Sequence, residues 1–142
     1  MSKVTEEAVH PKARGLEVVI QTVPMPADAN GNGDIFGGWI LSHMDIAAGV
    51  LGAQRAQGRV ATVAIDAMTF LKPVYMGDLL SIYGEVVNVG RTSIKVRLET
   101  WVERQRRRDG SLTARQSMRV TEGTFVMVAI DDEGRPRLVP PL

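Results

Sequence analysis

Residues 39–57 read WILSHMDIAAGVLGAQRAQ, and the way this stretch is hidden from water decides the fold. Ile40, Met44, Ala47, Leu51 and Gln54 fall about one helical turn apart, and Leu41, Ala48 and Val50 widen the apolar side. A helix apolar around most of its girth belongs inside a protein rather than on its surface. Gly49 and Gly52 each weaken it by about 1 kcal/mol relative to alanine, which points to close approach of another backbone.

Downstream of Gly58 the chain turns to strands. Val60–Phe70 (VATVAIDAMTF) is apolar except at Thr62, Asp66 and Thr69, and KPVYMGD after Leu71 is a turn. Leu79–Val89 and Ser93–Val102 flank the tight turn Gly90-Arg91-Thr92. In the second of them Ile94, Val96 and Leu98 alternate with Lys95, Arg97 and Glu99, as in a strand with one wet face. ERQRRRDGSLTARQ (103–116) reads as a polar hairpin connection, and Met118–Ile130 as the last long strand. Upstream of the helix, PMPADANGNGDIFGG is too rich in Pro, Gly, Asn and Asp for regular structure. Leu16–Val23 reads as a first strand.

One strand, one long helix and four further strands predict an α+β domain in which a curved antiparallel sheet wraps a single central helix. One helix covers only part of such a sheet, so the remaining edge or face is expected to pair with another copy. The domain is placed at 15–136, with a flexible arm over 1–14 and a tail over 137–142. No internal repeat interrupts it.

Composition narrows the chemistry. The chain has 142 residues, a net charge of +1, no cysteine and two histidines, His10 and His43. One domain is the natural reading of that length. The absence of cysteine rules out disulfides, a thiolate nucleophile and Cys-ligated metal, and two histidines are too few for a convincing metal cluster. Near-neutral charge gives no field for nucleic acid. The start MSKVTEEAVHPKARG is polar, and no apolar run reaches membrane-spanning length. A cytoplasmic protein is expected.

The strongest local feature is NGNGDIFGGW (30–39), which opens directly into the helix. Glycines at a helix start leave approachable N–H groups, and these, with the positive end of the helix dipole, suit a developing oxyanion. A glycine-rich turn that only lets the chain enter the helix would explain the same pattern. Asp45 is the second feature, an ionisable group two turns into an otherwise apolar helix. Burying a carboxylate costs several kcal/mol unless it is paired or functional, although a polar stripe Ser42-Asp45-Gly49 facing water would also accommodate it. His43 and Asp45 diverge around the helix, by roughly 200°. A Ser-His-Asp triad is therefore unsupported, with Ser42 an orienting hydroxyl at best and His43 structural. Arg91, Thr92 and Ser93 place a guanidinium, two hydroxyls and turn N–H groups together, a phosphate-suited set and equally a plain hairpin turn. The basic run Arg104–Arg108 lacks interleaved aromatics and reads as a solvated loop.

Three segments, PADANGNGDIFGGWILSHMD (26–45), GRVATVAIDAMTFLKPVYMGD (58–78) and VNVGRTSIKVRLETWV (87–102), closely resemble the acyl-CoA thioesterases of the hotdog superfamily, in particular the bacterial YciA type. The likeness runs from about Val18 to Pro136. GDIFGGW, MD, FLKP and GRTS in this order form a specific combination. The resemblance implies a hotdog dimer, often a trimer of dimers, with active sites at subunit interfaces. It implies hydrolysis of acyl-CoA to free fatty acid and coenzyme A, a reaction of lipid metabolism. Coenzyme A is then part of substrate and product, and no separate cofactor or metal is called for. Asp45 matches the general base or nucleophile, Asp34 a residue that positions water or substrate, and Gly37 and Gly38 the backbone donors that polarise the carbonyl. Gly90, Arg91, Thr92 and Ser93 match positions that meet the nucleotide of coenzyme A, and Arg59 and Lys72 are further carry-overs for the same ligand. Hairpin 103–116 is more basic than expected at this position. Two other readings are a hotdog hydratase, for which no suitably placed Asp-His pair is present, and a non-catalytic acyl-CoA-sensing module.

Overall fold

The computed structural model describes residues 9–106 and 112–142. Five strands, β1 (Val18–Thr22), β2 (Val60–Phe70), β3 (Leu79–Val89), β4 (Ser93–Arg106) and β5 (Leu112–Ala129), form one antiparallel sheet in the order β1-β3-β4-β5-β2. The single long helix α1 (Gly37–Ala56) crosses its concave face. The expected helix wrapped by a curved sheet is present, and the sheet stays open with β2 as one edge.

Alternation in β4 decides which side faces the helix. Ile94, Val96, Leu98, Thr100 and Val102 are fully buried, with Leu80 and Ile82 of β3 and Phe125 and Met127 of β5 among the residues that complete the floor. From above, α1 contributes Ile40, Met44, Ala47, Ala48, Gly52 and Ala56. Four of these six are Ala or Gly, so the helix axis sits low on the sheet. The tightest approach is at Gly84 of β3, where a Cβ would overlap Leu98 and come within 2.9 Å of Leu51 Cδ1. It is not at the glycines the sequence singled out. Gly49 faces open space, and Gly52 meets side chains of Met127 and Val60 at 3.4 and 3.5 Å.

One face of the helix is not covered. Ile46 and Val50 are exposed, and the edge strand β2 beside them exposes Val63 and Ile65. The sequence predicts a helix buried around most of its girth, but one five-stranded sheet can shield only one side of it. A bulge between Asp66 and Thr69, with Ala67 at φ 53°, bends β2. Opposite it Gly123 leaves room for Met68, whose Cε would lie 2.7 Å from any added Cβ.

Three boundaries differ from the sequence reading. Strands β4 and β5 continue into the stretch expected to be a polar hairpin, with Glu103 opposite Ser117, Arg104 opposite Gln116 and Arg106 opposite Leu112. Ladder hydrogen bonds need backbone rather than apolar side chains, so a polar sequence can extend a hairpin. Of the basic run Arg104–Arg108, residues 107 and 108 lie outside the described residues. The arm expected to be flexible to residue 14 is docked from His10 onward. Pro11–Arg14 form a 3-10 turn closed by Gly15 at φ 85°, and Pro11 is buried. The His10 ring lies against Tyr83 and Trp101, with centroids 5.3 and 4.8 Å away. The segment 137–142, expected to be a tail outside the domain, packs Val139 against the core.

The docked N-terminal segment covers a charged patch on the convex face. Glu99, 2% exposed, accepts from Arg14 at 2.7 Å, Arg97 at 2.5 Å and the Trp101 indole at 3.0 Å. Arg97 and Arg119 also reach Glu122, at 2.6 and 3.1 Å. Burial alone would push the Glu99 carboxyl up, but the donors from Trp101, Arg97 and Arg14 outweigh it and hold it below the usual carboxylate range.

Candidate active site

The helix begins without a side-chain cap. Phe36 precedes it with extended backbone, and no side chain bonds the first N–H groups from that position. Gly37 packs on the ring of Phe70, 3.5 Å from where a Cβ would be, whereas nothing lies within 4 Å of a Cβ at Gly38. The start of α1 is thus open on the Gly38 side.

The loop before it is held rigidly, and largely by a residue the sequence reading passed over. Asn30 Oδ1 accepts from the N–H groups of Asn32 and Asp34 at 2.8 and 3.2 Å, and the Asn30 N–H donates to the Asp34 carbonyl at 2.7 Å. Asp34 in turn bridges Tyr75, and the Ile35 N–H donates to the Val74 carbonyl at 2.8 Å. Tyr75 sits on a buried bracket. Asp78, 3% exposed, takes a two-pronged bond from Arg104 at 2.9 and 2.6 Å, and it accepts from the Tyr75 N–H at 2.9 Å. The Arg104 guanidinium lies 4.4 Å over the Tyr75 ring. Its hydrogen bond to Asp78 raises its pKa further. Arg104 therefore braces the turn 73–78 instead of belonging to a solvated loop. The available signal was Asp78, an acid closing the turn YMGD.

Asp45 is half-buried on the helix face that meets β2. Thr62 Oγ donates to Asp45 Oδ1 at 2.6 Å, so the orienting hydroxyl comes from the sheet. Ser42 does not supply it, because its hydroxyl donates to the Trp39 carbonyl at 2.9 Å. His43 is structural, as expected: Nδ1 lies 2.9 Å from the same carbonyl, and its ring stacks on Trp39 at 4.1 Å. Among the described residues Oδ2 of Asp45 has no protein partner. Seven positions separate Gly38 from Asp45, about 10 Å along the axis.

The residues expected to meet coenzyme A divide into two places. Gly90–Ser93 caps the β3–β4 hairpin, with the Gly90 N–H donating to the Ser93 carbonyl at 2.7 Å. A Cβ at Gly90 would come within 2.9 Å of Ser93 Oγ. Arg59 lies at the same end of the sheet. Its N–H groups point to the carbonyls of Asp131 and Asp132 at 3.4 and 3.5 Å, and its own carbonyl accepts from Ile130. Lys72 lies beyond the far end of β2, exposed, with its N–H 3.3 Å from the Val120 carbonyl. An eleven-residue strand holds Arg59 and Lys72 roughly 30 Å apart in one chain.

Among the described residues no group of three or more His, Cys, Asp or Glu is suited to a metal, and no helix is long and apolar enough to cross a membrane.

The family model described as Thioesterase superfamily matches residues 32–108, just over half of the chain. The chain is 45% identical over 124 residues to the acyl-CoA thioester hydrolase YciA of Salmonella typhimurium, covering 87% of this chain and 90% of the relative. Among solved structures, the aspartate-to-alanine mutant of a hexameric broad specificity acyl-coenzyme A thioesterase superposes with a TM-score of 0.81 at 41% identity, over 87% of this chain and 86% of that one. A hexameric thioesterase from Yersinia pestis gives 0.77 at 46% identity, over 87% and 95%. This chain belongs to the hotdog-fold Thioesterase superfamily, with the YciA-type acyl-CoA thioester hydrolases as its relatives.

Proposed function

We propose that the chain hydrolyses acyl-CoA thioesters to free acid and coenzyme A, with Asp45 as the carboxylate that activates or delivers the nucleophile. The observation that carries this reading is the state of Asp45. One oxygen is fixed by Thr62 and the other has no protein partner among the described residues, and Asp45 lies next to the helix residues Ile46 and Val50 that the chain's own sheet leaves uncovered. A carboxylate held by a single hydroxyl keeps lone pairs available for a proton or a carbonyl carbon.

The chemistry follows from these parts. The thioester oxygen gains negative charge as the carbonyl carbon becomes tetrahedral, and the N–H groups at Gly37 and Gly38 with the helix dipole offset that charge. Asp45 either takes a proton from the attacking water or attacks itself to give an anhydride that water then opens. In both routes the C–S bond breaks and coenzyme A leaves as the thiol after protonation. Asp34 sits in the rigid loop beside the helix start, where it helps position water or substrate.

One chain does not hold these groups close enough. Reacting atoms must approach to about 3–3.5 Å, whereas the helix start and Asp45 of one copy are about 10 Å apart along the axis. The uncovered face of Ile46, Val50, Val63 and Ile65 suits a second copy, which would bring its own helix start toward Asp45. The hexameric state of the related thioesterases supports a trimer of such dimers. Across copies, Lys72 of one chain can share a ligand with Arg59 and Gly90–Ser93 of another.

The test is thiol release from acetyl-, hexanoyl- and palmitoyl-CoA by wild type and Asp45→Asn. Turnover by wild type that disappears in the variant is the expected result. Turnover in Asp45→Asn near the wild-type rate would overturn the assignment. Binding of coenzyme A without turnover of any substrate would replace the enzyme with a sensing module.

A further inference from the structure

The segment 137–142 is tied to the turn Gly90–Ser93 and to the end of the helix by a set of bonds that core packing alone does not require. The Val139 N–H donates to the Arg91 carbonyl at 2.8 Å, and the Ala129 N–H donates to the Thr92 carbonyl at 2.9 Å. Both inner residues of the turn are thereby held from the C-terminal side. Arg137 anchors the segment itself. Its N–H donates to Ala129 O at 2.9 Å, Nε to Ile130 O at 3.0 Å, and Nη2 to the helix-terminal Ala56 O at 2.9 Å. That guanidinium fills the space over Gly58, where a Cβ would fall 2.5 Å from Nη2. Arg55 of the helix completes the tie by donating to Pro140 O at 2.6 Å.

These ties hold only backbone in the turn. The Arg91 side chain is exposed and makes no hydrogen bond among the described residues, so the segment fixes its carbonyl and leaves its guanidinium available. The geometry points to residues 137–142 as a positioning segment that holds the Gly90–Ser93 turn ready for the nucleotide part of coenzyme A. This rests on the reading of that turn as part of the coenzyme site. A hairpin turn left loose must be ordered when ligand arrives, and that entropy is subtracted from affinity. A turn tethered beforehand has already lost it.

The experiment compares three variants of the full assembly, Val139→Pro, a chain ending at Leu138, and Arg91→Ala. Val139→Pro removes the N–H donated to Arg91 while keeping an aliphatic side chain, and it serves if the shortened chain folds poorly. Each is assayed with hexanoyl-CoA and with hexanoyl-N-acetylcysteamine, a thioester without the nucleotide. Both tail variants are expected to raise KM for hexanoyl-CoA about fivefold, with kcat within about twofold, and to leave kcat/KM for the short thioester unchanged. Arg91→Ala is expected to raise the same KM. An unchanged KM in Val139→Pro beside a raised KM in Arg91→Ala overturns the positioning role while sparing the coenzyme reading. An unchanged KM in Arg91→Ala removes the turn from the coenzyme site, and the proposal with it. Equal losses on both substrates would mark a packing defect and also overturn it.

Discussion

The surroundings of Glu99 and Asp45 show two ways of placing a carboxylate in the same small domain. Glu99 lies on the convex face under the docked N-terminal segment, with two arginines and an indole donating to it. Asp45 lies at the other side of the sheet with one hydroxyl donor, and its second oxygen has no protein partner among the described residues. Saturating a carboxylate with charged donors stabilises its ionised form and removes its lone pairs from use. Leaving one oxygen unengaged forgoes stability and keeps a base or nucleophile. Where the donors are placed separates structure from chemistry here.

That contrast breaks if the two acids respond alike to substitution. Asp45→Asn is expected to lower kcat by at least about a hundredfold while the thermal midpoint stays near wild type, read by thiol release and calorimetry. Next in size comes assembly. Ile65→Lys puts a charge on the uncovered face and should convert the oligomer to monomer by light scattering, with turnover falling in proportion to the oligomer lost. An active monomer would show that one chain suffices. Glu99→Ala should act on stability alone. Removing the acid takes away the acceptor of Arg14, Arg97 and the Trp101 indole, at a cost of about 2 kcal/mol in urea unfolding once the solvent reaching both guanidiniums is allowed for, and kcat should change by less than about twofold.

The sign of the pH dependence sharpens the same difference. Glu99 has a folded pKa held below its ordinary value of 4.5. Its contribution to stability is therefore complete above that value and is lost as pH falls through the lower folded pKa. In Glu99→Ala the gap in unfolding free energy from wild type should narrow as pH drops below about 4.5.

The fold was legible because its signals are local. The 3.6-residue period of 40–54 and the alternation of 94–99 specify one helix and a one-sided strand without reference to the rest. Asp45 was legible for the same reason, as a charge in an apolar run. What could not be read depends on contacts distant in sequence. Thr62, 17 residues from Asp45, has no signature as its partner, while Ser42, one helical turn away, offered a local and incorrect one. Arg104 looked like part of a basic loop because its partner Asp78 lies 26 residues back. Glycines misled similarly. Gly49 and Gly52 drew attention inside a helix, but the crowded position is Gly84, whose neighbours Leu51 and Leu98 arrive from other elements. The exposure of Ile46 and Val50 was hidden too, since periodicity reports which residues avoid water and not whether the chain itself or a second copy covers them.

The smallest effect expected is at Thr62, and it tests whether the single donor on Asp45 matters to chemistry. Its 2.6 Å hydrogen bond holds one oxygen of the carboxylate against the sheet. Loss of the hydroxyl lets the side chain rotate, and misaligned proton transfer costs rate more than binding. Thr62→Val, which keeps shape, should lower kcat about tenfold with KM nearly unchanged. Thr62→Ser, which restores the hydroxyl, should recover most of it. If all three proteins share one rate, Asp45 is oriented by something other than Thr62, and the partner copy becomes the place to look for it.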